Sequence, residues 1–131
     1  DPLFGRFQPP TRVTETQRHA QAQVVNSFVD SILALDANAN VIVLGDLNDF
    51  EFSETLAILE GGVLDNLVLS LRRPERYTYV FEGNSQVLDQ ILVSLRLERD
   101  LMAYDVVHVN SEFAVQASDH EPQVARFLLR P

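Results

Sequence analysis

The sequence lacks both cysteine and lysine, and each absence removes a class of explanation. None of its 131 residues is Cys, which excludes disulfide bonds, zinc sites built on thiolates and cysteine nucleophiles. No Lys occurs either, so all 10 basic residues are Arg. No apolar run approaches the roughly 18 residues that a membrane-spanning helix requires, and we expect no membrane span. A cysteine-free chain is compatible with the cytosol and equally with secretion.

Basic residues are also few relative to acidic ones. The formal net charge is −9, which argues against a surface that grips nucleic acid broadly, because such surfaces neutralise phosphates with Lys and Arg. An acidic protein can still cut DNA where a bound cation and a local group of Arg side chains offset the charge near the substrate. The acidity by itself serves solubility as readily as function.

The order of predicted elements begins with a long helix. Residues 1–13 form an irregular, Pro-containing lead-in, and residues 14–17 (Thr-Glu-Thr-Gln) fit a capping box that starts the helix. Apolar residues at helical spacing then predict an amphipathic helix of about five turns. This stripe consists of Ala20, Val24, Phe28 and Ile32, broadened by Val25, Leu33 and Leu35.

The rest of the chain reads mostly as strands. Residues 41–44 predict a strand buried on both faces, and Ser53 predicts the start of a short helix that Gly61 and Gly62 end. The further predicted strands are 77–81 and 86–94, joined as a hairpin, then 104–109 and 122–129. This pattern predicts an α/β (α+β) fold with a mixed, largely antiparallel sheet and helices on one face.

Polar residues suited to phosphate-ester chemistry occur at three points of this pattern. Asp46 and Asn48 follow the strand 41–44, and an extended backbone would direct both to one side, although Gly, Asp and Asn also form ordinary turns. Asp89 lies in an apolar strand, where an ionised carboxylate needs a partner or the solvent-facing side. Asp119 and His120 follow Ser118 near the end of the chain. Together they suit a divalent cation and the cleavage of a phosphate ester.

These three segments resemble, in order and spacing, the motifs of the endonuclease/exonuclease/phosphatase superfamily, which has the deoxyribonuclease I fold. The chain looks most similar to bacterial extracellular nucleases, which share a Gly-Asp-x-Asn-Asp-Phe turn, a Tyr-x-Tyr strand and a Gly-Asn-Ser loop. The corresponding residues here are 45–50, 77–79 and 83–85. The resemblance implies that residues 14–131 form the C-terminal half of a four-layer αββα sandwich whose N-terminal half is absent from this sequence.

The resemblance also implies a role for each polar residue. Asp46 would orient the attacking water and help to deprotonate it, and Asn48 would bind the scissile phosphate and assist the metal site. Asp89 would hold the imidazole of His120, which would act as general acid or base. Asp119 would bind the metal, Mg²⁺ or Mn²⁺.

Four further residues lie close to these motifs. Asp49 continues the acidic turn, and we interpret it as a turn residue that leads into the short helix and not as a catalytic one. Arg72, Arg73 and Arg76 precede the aromatic strand 77–81. They are candidates for binding substrate phosphate through forked hydrogen bonds, and a solvated loop is the alternative interpretation.

Three hypotheses for function remain open at this stage. The first is part of a secreted, metal-dependent endonuclease that hydrolyses DNA or RNA by in-line attack of water, with a parent protein that is extracellular or periplasmic. The second keeps this machinery for a phospholipid or inositol-phosphate substrate, and the third is a non-catalytic module with the same fold. Because the superfamily's primary metal-binding Glu and a further His have no counterpart here, we expect the isolated chain to bind Mg²⁺ weakly and to cut little or nothing.

Overall fold

A computed structural model describes residues 8–129, which fold into helices packed against antiparallel strands. The helices are α1 (Glu15–Leu35), α2 (Glu54–Glu60) and α3 (Leu95–Glu98), with 3₁₀ turns at Leu67–Ser70 and Arg73–Glu75. The strands are β1 (Ile42–Asp46), β2 (Leu64–Asn66), β3 (Tyr79–Phe81), β4 (Asn84–Gln86), β5 (Asp89–Ser94), β6 (Leu101–Val106) and β7 (Gln123–Phe127). The predicted α/β class is confirmed. Residues 1–7 of the predicted lead-in lie outside the described residues, and residues 8–13 contain no helix or strand.

The described strands form three small sheets, all antiparallel. β5 is the centre of the first sheet, with β1 on one side and β2 on the other, while β3–β4 and β6–β7 form two-stranded ribbons. The predicted hairpin between residues 77–81 and 86–94 is wrong, because β3 pairs with the short β4 and β5 belongs to another sheet. The pairing of β3 with the chain after β4 ends at Thr78. The Thr78 hydroxyl accepts hydrogen bonds from the backbone N–H groups of Leu88 and Asp89, each at 3.0 Å.

The first helix begins near the predicted residue but without the predicted capping box. Thr14 occupies the N-cap position of α1 and makes no side-chain cap hydrogen bond. Its hydroxyl accepts instead from the guanidinium of Arg18, one turn further along. The second helix is capped as predicted, since the Ser53 side chain accepts from the N–H of Leu56 and Gly61 ends the helix in the left-handed region.

The buried face of α1 is not the predicted apolar stripe. Val24 and Phe28 are 70% and 65% exposed, whereas Ala22 and Val29 are buried against α2 and the first sheet. The contact with α2 selects this face, because the Asn26 side chain donates to the Leu59 carbonyl at 3.1 Å. A Cβ added at Gly61 would lie 2.2 Å from Asn26 Nδ2, so it would displace the Asn26 side chain from this position.

Helices cover one face of the first sheet, as predicted, and leave much of the other face open at β1. Val43 packs with the helices, but Ile42 and Leu44 on the opposite side are 46% and 64% exposed. The prediction that residues 41–44 are buried on both faces is therefore wrong for the described residues. Next to this open strand, Ile91 and Val93 of β5 pack against the β6–β7 ribbon.

Candidate active site

Two aspartates lie opposite each other at one end of the first sheet. Asp46 is the last residue of β1, Asp89 is the first of β5, and the antiparallel register makes them direct cross-strand partners. Residues in register share a sheet face, which here is the open face of Ile42 and Leu44. Like charges at opposed positions repel each other, so this end of the sheet favours a positive partner.

The imidazole of His120 lies beside this pair. Its Nδ1 is 2.7 Å from Oδ2 of Asp89, and its ring is tilted against that of Tyr79 with centroids 4.7 Å apart. Because an ionised carboxylate can only accept, this contact puts the ring proton on Nδ1 and leaves Nε2 as the second functional nitrogen. Ligand atoms of Asp46, Asp89 and His120 all lie within 4.8 Å of one another. We call these three residues the site cluster.

The charges of the site cluster favour the protonated imidazole. Burial lowers the pKa of His120, but the hydrogen bond and charge of Asp89, together with the charges of Asp46 and Asp119, outweigh it and raise the pKa above 6.5. A histidine whose pKa is raised is a better holder of the proton that a general acid donates to a leaving oxygen. The site cluster can therefore supply both an acid and carboxylate bases.

Thr78 connects the two halves of the Asp89–His120 pair. Its side chain is fully buried, and its hydroxyl accepts the N–H of Asp89. Its carbonyl accepts the N–H of Glu121 at 2.7 Å, and its neighbour Tyr79 forms an isolated β-bridge with His120. Thr78 thus fixes the backbone next to both members of the pair. The sequence analysis missed it, because a Thr between two Tyr residues in a strand carries no signal beyond β propensity.

Glu121 secures the loop on the other side of His120. Its carboxylate is 3% exposed and accepts the backbone N–H groups of Val109, Asn110 and Ser111 at 2.7–3.0 Å, as well as the Ser111 hydroxyl. The Asn110 side chain in turn donates to the His120 carbonyl at 2.6 Å. These bonds hold the pKa of Glu121 below 4.5 against the opposing effect of its burial. This role could not be predicted from the sequence, in which Glu121 is an ordinary acid between His and Pro.

The turn after β1 orients Asp46 and Asn48 differently from the prediction. The backbone at Asn48 is left-handed, with φ of 52°, and its N–H donates to Oδ1 of Asp46 at 2.8 Å. The backbone here is therefore an Asx turn and not the expected extended chain. Asp46 and Asn48 are nevertheless both exposed at this end of the sheet, and Leu47 between them packs against the core.

Asp49 holds this turn against the helices. Its carboxylate is 2% exposed and accepts hydrogen bonds from the Thr55 hydroxyl at 2.6 Å and the Arg18 guanidinium at 3.0 Å. Burial raises the pKa of Asp49, but these two hydrogen bonds and the one from the Phe50 N–H outweigh that effect. The net pKa is therefore below 3.8. The interpretation of Asp49 as a structural turn residue agrees with these contacts. We call Asp49 and Glu121 the anchoring carboxylates.

The remaining predicted residues lie outside the site cluster. Asp119 is exposed and is absent from the cluster of possible ligands found among residues 8–129, although its charge acts on His120. Arg72 pairs with Glu75, and Arg76 donates to two backbone carbonyls at 2.7 Å. No hydrogen bond or ion pair in the described part of the chain joins Arg72, Arg73 or Arg76 to the site cluster.

Comparison with known proteins identifies the family. A model of the endonuclease/exonuclease/phosphatase family matches residues 10–119. The chain belongs to this family. No curated protein matches it. Among solved structures, the mannosyl-6-phosphatase of Bacteroides thetaiotaomicron has a similar fold, with 20% identity and a TM-score of 0.67 over 89% of this chain. The match covers 48% of that enzyme, so the present chain spans about half its length.

Members of the endonuclease/exonuclease/phosphatase family are hydrolytic phosphoesterases that generally depend on a divalent metal ion, and the site cluster fits such an ion. Its two carboxylates offer the hard oxygen ligands that Mg²⁺ and Mn²⁺ prefer. A cation near Asp46 and Asp89 would also offset the repulsion between their charges.

No helix within residues 8–129 has the length and apolar character needed to cross a membrane.

Proposed function

We propose that this chain carries part of the active site of a divalent-metal-dependent phosphodiesterase that hydrolyses nucleic acid by in-line attack of water. The observation that carries the proposal is the site cluster, in which Asp46, Asp89 and His120 offer ligand atoms within 4.8 Å and Asp89 contacts the His120 ring at 2.7 Å. Two opposed carboxylates with one imidazole provide a base, an acid and a cation site at one position.

Each residue of the site cluster has a distinct part in this proposal. Asp46 orients the water and accepts its proton, and its Oδ1 is held for this by the N–H of Asn48. Asp89 fixes the tautomer of His120, whose Nε2 then donates a hydrogen bond or a proton to the phosphate oxygens. The Asn48 amide is assigned to the scissile phosphate.

Mg²⁺ or Mn²⁺ is the proposed cofactor, and its charge would offset the negative charge of the phosphate when bound. Asp46 and Asp89 would supply the carboxylate ligands of the site cluster, and Asp119 and Asn48 are the ligands that the family resemblance adds. The exposed position of Asp119 is compatible with this role if further ligands come from outside the described residues. Because the superfamily's Glu ligand is missing from this sequence, weak Mg²⁺ binding is expected, in the millimolar range or weaker by calorimetry.

We propose further that the described residues are the C-terminal half of a longer four-layer sandwich, beginning near residue 14. The open face of β1, with Ile42 and Leu44 exposed, supports this, since a strand this apolar is typically covered. The match to about half of a solved phosphatase also supports it. For the parent protein we keep the proposal of an extracellular or periplasmic location, which rests on the likeness to secreted nucleases.

The preference for nucleic acid rests on the segments 45–50, 77–79 and 83–85, which resemble bacterial extracellular nucleases. A phosphatase or phosphodiesterase acting on a phospholipid, an inositol phosphate or another phosphoester is the second candidate. The observation that favours it is the fold similarity to a mannosyl-6-phosphatase. A non-catalytic module would require the site cluster to be without function, and the cross-strand repulsion of Asp46 and Asp89 argues against that.

The experiment is a comparison of substrates in Mg²⁺ and in Mn²⁺, with the chain and with the longest form of the protein that contains it. Nicking of supercoiled plasmid, lost on Asp46→Asn, would support the nuclease. Release of phosphate from sugar or inositol phosphates, with intact plasmid, would overturn it in favour of a phosphatase. Plasmid nicking by Asp46→Asn at the native rate would show that the site cluster does not carry the activity.

A further inference from the structure

A cleft of about 920 Å³ is lined by residues 50–52, 69–77 and 85–87, and the proposed mechanism does not use it. One wall is the loop 50–52, which follows directly on the turn of Asp46 and Asn48. The opposite walls are residues of the 69–77 segment and of β4, which leads through Val87 into Asp89. The cleft is therefore lined by segments that continue along the chain into the segments of Asp46 and Asp89, although none of the site-cluster residues lines it.

An aromatic platform forms one side of the cleft. Phe52 is 70% exposed, and its ring stacks on that of Phe50 with centroids 5.2 Å apart and an interplanar angle of 14°. Phe50 is only 7% exposed, so the buried ring holds the exposed ring in position. A large apolar side chain held open to solvent in this way is a preorganised surface for a third flat ring.

Charged groups complete the lining around this platform. Oε2 of Glu51 is buried and has no hydrogen-bond partner among the described residues, although a buried carboxylate oxygen requires one. Arg73 lines the cleft and forms no ion pair within residues 8–129, while Arg76 is fixed by the carbonyls of Leu69 and Leu71. The cleft therefore offers a ring surface at Phe52 and positive charge at Arg73.

We propose that this cleft binds a base of the nucleic-acid substrate, an inference that rests on the proposed nucleic-acid phosphodiesterase. The base stacks on Phe52, and Arg73 offsets the charge of a neighbouring phosphate. A nearly parallel stack of two phenyl rings extends naturally to a planar base, whereas a hexose is puckered and presents hydroxyl groups around its edge. The geometry therefore favours a nucleotide over a sugar phosphate.

The test measures the binding of small ligands to the whole chain by nuclear magnetic resonance. EDTA is present, so that neither metal binding nor catalysis contributes. The probes are adenosine 5′-monophosphate, glucose 6-phosphate and inorganic phosphate. We expect the nucleotide to bind about tenfold more tightly than inorganic phosphate, by the usual strength of base–aromatic stacking, and glucose 6-phosphate to bind no better than phosphate. Equal binding of nucleotide and sugar phosphate, or tighter binding of the sugar phosphate, would overturn the proposal.

Substitutions at Phe52 test whether the nucleotide binds in this cleft. Phe52→Ala should weaken nucleotide binding about tenfold while leaving phosphate binding unchanged, and Phe52→Trp should retain it. Phe28→Ala is the matched control, because Phe28 is exposed to a similar degree, 65%, but lies on α1 away from the cleft. A Phe52→Ala protein that binds the nucleotide like Phe28→Ala would rule out the stacking site. Since Phe52 is exposed, the variant should melt at the native temperature.

The binding assay and the plasmid assay can fail separately. Plasmid nicking without Phe52-dependent nucleotide binding would overturn the base site alone. Phe52-dependent binding without nicking in any form of the protein would overturn the phosphodiesterase proposal and leave a nucleotide-binding cleft.

Discussion

Two groups of carboxylates lie close together in this fold and have opposite surroundings. The anchoring carboxylates, Asp49 and Glu121, are 2% and 3% exposed, and each accepts hydrogen bonds from several side-chain and backbone donors. In the site cluster, Asp46 is exposed and faces a second carboxylate, Asp89, directly across the strands. Only two residues along the chain, Leu47 and Asn48, separate Asp46 from Asp49.

The difference teaches how to separate structural acids from functional ones within one motif. A buried acid whose acceptor sites are satisfied stabilises the native state and has little capacity left for a ligand. A pair of like charges held face to face lowers stability, and such an arrangement is typical of a site kept for binding or catalysis. By this criterion Asp49 and Glu121 support the fold, and we propose that Asp46, Asp89 and His120 carry the chemistry.

The largest expected effect concerns the activity of the site cluster. Asp89→Asn should lower phosphodiester hydrolysis by roughly 10³–10⁴-fold, because the amide no longer enforces the tautomer of His120 or stabilises its charge. The melting temperature should change little, since the Asp89 N–H keeps its bond to Thr78. The measurement is the plasmid-nicking rate in the longest active form of the protein.

Asp105→Asn is the matched control for this prediction. Asp105 is an exposed aspartate of β6 outside the site cluster, so the same chemical change there should leave the rate unchanged. Equal losses for the two variants would mean that Asp89 has no special part in the reaction.

The next effect concerns stability and compares Asp49 with Asp46. Asp49→Ala should cost about 3 kcal/mol, because it removes the buried carboxylate that accepts from the Thr55 hydroxyl and from Nε of Arg18. Asp46→Ala should change the free energy of unfolding by less than about 1 kcal/mol, since its charge is exposed and repelled by Asp89. Urea denaturation of both variants measures the difference. Equal destabilisation would remove the distinction between the two groups.

A smaller effect should follow from Thr78, which links the two regions. Thr78→Val leaves the buried N–H groups of Leu88 and Asp89 without their acceptor, at a cost of about 2 kcal/mol. The Asp89–His120 contact should loosen, and the pKa of His120 should return toward 6.5. Thr78→Ser keeps the hydroxyl and is expected to keep both properties. A titration of the His120 ring by nuclear magnetic resonance that is identical in the Val and Ser variants would contradict this role.

The sequence predicted those features of the fold that depend on residues close together along the chain. Ser53 and Gly61 bound α2 as expected, because a cap and a left-handed glycine act within one turn of the helix. The face of α1 could not be predicted in this way, since Asn26 and its bond to the Leu59 carbonyl come from packing against α2. The predicted hairpin failed for a similar reason, because one hydroxyl, that of Thr78, replaces the expected strand partner.

The contacts of the candidate site likewise include some that could be predicted from the sequence and some that could not. The resemblance implied the contact between Asp89 and His120, and the structure contains it at 2.7 Å. The left-handed backbone of Asn48 escaped prediction, because an Asx turn and an extended strand end fit the same residue types. Glu121 escaped as well, since its partners lie 10–12 residues away along the chain in a loop that no sequence pattern places near it.

The smallest effect, the pH dependence of stability, should have opposite signs in the two regions. The lowered pKa values of Asp49 and Glu121 contribute stability that is present above about pH 4.5, the ordinary value for Glu, and is lost as the pH falls through the folded-state values. The raised pKa of His120 contributes stability that is present below pH 6.5 and is lost as the pH rises through its folded-state value. Each group changes the free energy of unfolding by at most about 1.4 kcal/mol per pH unit. Urea denaturation from pH 3 to 9 should therefore show a flatter acid limb for Asp49→Asn and a flatter neutral limb for His120→Gln. If both variants flatten the same limb, the two regions do not differ in the way their surroundings indicate.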